Sequence, residues 1–123
     1  MNSTDLLIRQ REAQGIPIVD VDGEIDVYTV PRFKDQLSKL IEEGERRILV
    51  NLQKVGYMDS SGFGALLGAT KRLRPDGGKL GLVGCNQVIG RMLKITRLNT
   101  IFDMFDEEDS ALRAFADDGS VAS

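Results

Sequence analysis

ILVNLQKVGYMDSSGFGALLGATKRL, residues 48–73, changes its periodicity halfway, and that change sets the fold. With Arg47 in front, it opens on RILVNL (residues 47–52), a short β-branched apolar run of the kind found in a strand buried on both faces of a parallel sheet. Beyond residue 60 the spacing is helical: Phe63, Leu66, Leu67, Thr70 and Leu73 recur along one face as far as Arg74. An acid, two serines and a set of glycines lie between, in VGYMDSSGFGALLG (residues 55–68). A strand passing through a polar, glycine-bearing junction into a helix is half of a crossover unit. Open α/β sheets usually hold their sites at such carboxyl ends of strands.

Working outward, the upstream chain supplies two more strands, DLLIRQR (residues 5–11) and IPIVDVD (16–22). The break at Ala13-Gln14-Gly15 is so short that it predicts an antiparallel hairpin, with Pro17 tolerable near a strand start or at an edge. Gly23–Tyr28 reads as a polar loop. Thr29 or Val30 then caps a helix with Pro31 in its first turn, Phe33, Leu37, Leu40 and Ile41 on one face, and Gly44 as its end. Downstream, Pro75-Asp76-Gly77-Gly78 is a stop, and KLGLVG (79–84) is a buried strand. Asn86 caps a helix to about Thr96, expected to turn Val88, Met92 and Ile95 or Thr96 inward. TIFDMF (100–105) closes the sheet, and Glu107, Glu108 and Asp109 open a final helix where its dipole favours negative charge. The order ββαβαβαβα predicts a single α/β domain: a mixed, mostly parallel sheet with helices packed against it. The domain is expected over residues 1–117, with its core at about 5–116 and a disordered tail at 118–123.

Composition narrows the chemistry. At 123 residues, 41% hydrophobic and 28% charged, the chain suits one soluble globular domain. Sixteen basic against nineteen acidic residues, with no dense Lys/Arg run, disfavour phosphate-driven nucleic-acid binding. The single cysteine, Cys85, rules out an intrachain disulfide. MNSTDLLIRQREAQ has neither the basic flank nor the apolar core of a signal peptide, and no window approaches the roughly 20 apolar residues of a membrane helix. A cytoplasmic location with no membrane partner is expected. The absence of histidine removes Ser-His-Asp and Cys-His arrangements and the usual ligand of zinc sites.

Several chemistries compete for residues 55–68. Gly62, Gly64 and Gly68 form G-x-G-x-x-x-G, one residue longer than the dinucleotide fingerprint. No acid ends the next strand and no Gly-Lys-Ser/Thr follows, so nucleotide binding is disfavoured. The G-x-S-x-G elbow is missing, which argues against a nucleophilic serine. VDVDGEID (19–26), read as a calcium loop from Asp20, has Ile25 where glycine is required, and no metal site is expected. Asp59 or Ser60 can act as a helix N-cap. A serine here can also receive a phosphate: the hydroxyl is exposed, Gly62 leaves room for a foreign active site, and a dianion would face free N–H groups and the positive end of the dipole.

Three stretches, DGEIDVYTVPRFKDQL (22–37), ILVNLQKVGYMDSSGFGALLGATKRL (48–73) and VIGRMLKITRLNTIFDMF (88–105), resemble the bacterial anti-sigma factor antagonists, single-domain members of the STAS group. The resemblance implies a partner switch. The unmodified protein binds an anti-sigma factor that is also a serine kinase, freeing the sigma factor for transcription. The kinase, carrying its own ATP and magnesium, phosphorylates the antagonist and the complex separates; a serine phosphatase resets it. It implies that Ser60 is the phosphoacceptor, with Ser61 shaping the loop and Asp26, Asp59 and Gly62 at the matching interface positions. No catalysis and no cofactor of its own are implied. Arg97, in ITRL, departs from the glycine many members carry, so the resemblance does not fix that turn. The rival readings are a scaffold or adaptor of the same fold in which Ser60 is only a cap, and a nucleotide-binding domain.

Overall fold

Gln14 and Gly15, with φ of 54° and 78°, turn the chain through a two-residue hairpin between strands β1 (Leu7–Ala13) and β2 (Ile16–Ile25). The computed structural model describes residues 6–120, with side chains as far as 116. After the hairpin every pairing is parallel: β2 with β3 (Arg47–Met58), β3 with β4 (Lys79–Val83), and β4 with β5 (Asp103–Phe105). The order β1-β2-β3-β4-β5 advances in one direction. Right-handed crossovers therefore put helices α1 (Val30–Glu42), α2 (Ser60–Leu73) and α3 (Gln87–Ile95) on the same face. Phe33, Leu37, Leu40, Leu66, Ile89 and Leu93 pack there with Val19, Val21, Ile48 and Val50. Helix α4 (Glu108–Ser120) covers the other face, where Ala111, Leu112 and Phe115 meet Ile16, Ile18, Leu49 and Val83. Residues Ile48 to Val50 thus supply both cores in alternation, as their unbroken apolar run predicted.

Several boundaries differ from expectation. The polar loop predicted from Gly23 begins only at Asp26, because Gly23, Glu24 and Ile25 stay in the sheet, paired through irregular register with Val55, Tyr57 and Met58. The same pairing carries β3 to Met58, six residues past its apolar run. β1 starts at Leu7, and β5 shrinks to Asp103–Phe105 behind a 3-10 turn at Leu98–Thr100. Of the tail expected at 118–123, the backbone is helical to Ser120, and 121–123 lie outside the described residues.

Helix α3 buries a different stripe from the one expected. Ile89 and Leu93 are buried, whereas Val88, Met92 and Ile95 stand 64%, 41% and 69% exposed, and Thr96 is exposed too. The segment carries two adjacent apolar stripes, and only one can face the sheet. Asn86 fixes the rotation: its Oδ1 accepts from Ile89 N at 2.8 Å while Nδ2 donates to the Val55 and Gly56 carbonyls at 3.3 Å.

Candidate functional site

The junction between β3 and α2 is built on Asp59. Its N–H donates to the Ile25 carbonyl at 3.0 Å, which fastens the end of β3 to the end of β2. Its extended backbone makes it the N-cap of α2, and Oδ1 accepts from Ser61 N at 2.8 Å. Its carbonyl accepts from Gly62 N at 3.0 Å and Phe63 N at 3.3 Å. One residue therefore occupies three first-turn donors. Of the N–H groups expected to face a phosphate, those of Ser61, Gly62 and Phe63 are already engaged, so an anion here meets mainly the Ser60 N–H, the positive end of the helix dipole and open solvent.

Ser60 is the first residue of α2; it is exposed, and its hydroxyl makes no hydrogen bond among the described residues. Ser61 is half-buried. Gly62 is buried, and the clearance it provides points inward: a Cβ there would lie 2.4 Å from Met58 Cγ and 2.9 Å from Ile25 Cγ2. The glycine lets the start of α2 sit directly on the strand ends; it does not open a path for a partner, as the sequence suggested.

Asp26 organises the adjoining loop. Its Oδ1 accepts from Tyr28 N at 2.9 Å and Thr29 N at 3.0 Å, and its carbonyl accepts from Val30 N at 2.8 Å. The Thr29 hydroxyl, expected to cap α1, is engaged within the loop instead, accepting from Asp26 N at 2.9 Å and donating to the Glu24 carbonyl at 2.8 Å. Through the bond from Asp59 to Ile25, the Asp26 loop and the Ser60 junction lie side by side. Asp26 and Asp59 each keep one carboxylate oxygen, Oδ2, without a hydrogen bond among the described residues. The sequence reading missed Val27 and Tyr28, 58% and 88% exposed in this loop, and Tyr57, 50% exposed on β3. Their signal was present: apolar side chains in a segment without a period have no core to enter.

The remaining groups supply little chemistry. Burial pushes the Cys85 thiol up to about 11, so it stays protonated at neutral pH. Among the described residues no cluster of three or more Cys, Asp or Glu side chains is arranged to hold a metal. A hollow of about 340 Å³, lined by Arg11, Asp20, Asn51 and Glu108, includes no residue of the 55–68 junction. No helix among the described residues is long and apolar enough to cross a membrane.

The STAS domain family profile matches residues 8–111. Over 83 residues the chain is 42% identical to the anti-sigma-B factor antagonist of Staphylococcus aureus (strain NCTC 8325), covering 68% of this chain and 77% of that one. An anti-sigma factor antagonist from Mycobacterium paratuberculosis has the same fold, with a TM-score of 0.82 at 24% identity over 89% of this chain and 92% of that one. The Bacillus cell fate determinant SpoIIAA in its phosphorylated form superposes with a TM-score of 0.72 at 22% identity, over 89% and 99% of the two chains.

Proposed function

The chain belongs to the STAS domain family, and on that premise we propose that it is an anti-sigma factor antagonist switched by phosphorylation of Ser60. Unmodified, it binds an anti-sigma factor that is itself a serine kinase, and so frees a sigma factor for transcription in the cytoplasm. The kinase brings ATP and magnesium; this chain brings the acceptor hydroxyl and acts as regulator, not catalyst. Transfer to Ser60 ends the complex, and a serine phosphatase restores it. The observation that carries this reading is the exposed, unbonded hydroxyl of Ser60 at the head of α2, set beside the Asp26 loop at the strand ends.

Asp26, Asp59 and Ser61 flank the acceptor and contact the partner, while Gly62 holds the helix start in place. A phosphate adds about −1.5 to −2 charge at the centre of that contact, next to Asp59. Desolvating or repelling it at a cost of about 3 kcal/mol weakens a complex more than a hundredfold. The test is intact-mass measurement with the cognate anti-sigma kinase and ATP. Wild type should gain one phosphate and Ser60→Ala none; modification of Ser60→Ala at the wild-type rate overturns the assignment.

A further inference from the structure

Among the described residues, Leu7, Val27, Tyr28, Tyr57, Val88, Met92 and Ile95 are the large apolar side chains left exposed. Val88, Met92 and Ile95 form one stripe along α3, spaced i, i+4 and i+7, so that they span about 10 Å of helix. No described residue covers them enough to bury them. An uncovered apolar stripe on a helix whose other apolar stripe is already buried points to a partner.

Two observations say what kind of partner. The first is continuity with the Ser60 junction. The side-chain amide of Asn86, immediately before α3, donates to Val55 O and Gly56 O, the strand residues that lead into Tyr57, Met58, Asp59 and Ser60. The head of the stripe is therefore fastened to the strand that presents the acceptor. The second is charge. Arg91 and Lys94 stand exposed along the flank of the stripe turned away from the core, and neither forms an ion pair among the described residues.

We propose that the Val88–Met92–Ile95 stripe is a docking surface for the kinase that modifies Ser60, received by an apolar groove with an acidic rim on that kinase. This rests on the Ser60 reading and adds to it a division of labour. The stripe supplies affinity by burial of apolar surface and orientation through Arg91 and Lys94, whereas Ser60 supplies the chemistry.

The experiment measures steady-state phosphorylation by the cognate anti-sigma kinase with ATP, on wild type, on Val88→Ser/Ile95→Ser and on Arg91→Glu/Lys94→Glu. All four positions are exposed, so thermal midpoints should match wild type. The serine pair should raise the KM for this chain about tenfold or more, with kcat changed less than about twofold. The glutamate pair should raise KM more at low salt than at high salt. A wild-type KM in the serine pair overturns the docking surface but leaves Ser60 as acceptor. If wild type gains no phosphate, both readings fail. Sedimentation of the chain alone covers the other occupant: a dimer in wild type that the serine pair abolishes assigns the stripe to a second copy and overturns kinase docking.

Discussion

Ser60 and Ser61 are neighbours in sequence with different surroundings. Ser60 faces solvent with an unengaged hydroxyl, while Ser61 is half-buried and gives its N–H to the Asp59 cap. Physics at the level of sequence could not separate them; Ser60 is the one whose exposed, unbonded hydroxyl meets what the proposed acceptor role requires. Because Ser60 is exposed and its hydroxyl makes no hydrogen bond among the described residues, Ser60→Glu should fold within about 0.5 kcal/mol of wild type while binding the anti-sigma kinase more weakly. Gross unfolding of that variant in a urea titration would make the serine structural. Arg97 is the residue-scale surprise. The family resemblance implies a glycine at its position, and Arg97 adopts φ 64°, the left-handed conformation that glycine takes without strain. A non-glycine residue in that conformation carries backbone strain. Arg97→Gly should therefore raise stability by about 1 kcal/mol, read as a higher denaturation midpoint; a lower midpoint would mean that the arginine's contacts outweigh its backbone strain.

At the level of elements, periodicity made most of the architecture legible, and the failures share one cause. RILVNL, the Phe33 face of α1 and the Phe63 face of α2 each offered a single apolar pattern, and each packs as that pattern requires. Helix α3 offered two stripes, and the choice between them was made by Asn86 reaching Val55 and Gly56, a contact between elements that no local window contains. β3 outran its apolar run because Asp22 to Ile25 supplied pairing partners regardless of polarity. The junction was legible as a capped helix start, but not the occupation of its first-turn donors by Asp59, which depends on backbone geometry. Two glycines in α2 show the same limit. Gly62 and Gly64 look equivalent in sequence, yet a Cβ at Gly62 collides with Met58 and Ile25, while at Gly64 it meets nothing within 4 Å. Gly62→Ala should cost about 1–3 kcal/mol through overpacking. Gly64→Ala should gain about 0.5–1 kcal/mol from helix propensity. Chemical denaturation of both tests the pair, and equal effects of one sign would refute the packing account.

Across the whole molecule, α4 joins the sheet through polar anchors as well as through Ala111, Leu112 and Phe115, which pack in the smaller core. Arg11, on edge strand β1, hydrogen-bonds both Asp20 on β2 and Glu108 at the head of α4, while Arg47 on β3 donates to the Phe115 carbonyl further along that helix. The Arg11 guanidinium holds the Glu108 carboxyl below its usual range, helped by Asn51 and opposed by partial burial and the Asp20 charge. A carboxyl depressed in the folded state stabilises the fold at pH values above its unfolded pKa and loses that contribution as pH falls through the folded value. Both Arg11 and Glu108 are partly open to water, so screening limits the interaction to about 0.5–1 kcal/mol. Glu108→Gln keeps the shape and a hydrogen-bonding oxygen but removes the charge. Its stability deficit relative to wild type should be full at pH 7 and should shrink as pH falls below about 4, where wild-type Glu108 is itself being protonated. Urea midpoints of the two proteins at pH 7 and at pH 3 measure this directly. A deficit unchanged between those pH values would assign Glu108 a packing role and remove the ionic clamp from the account of how α4 is held.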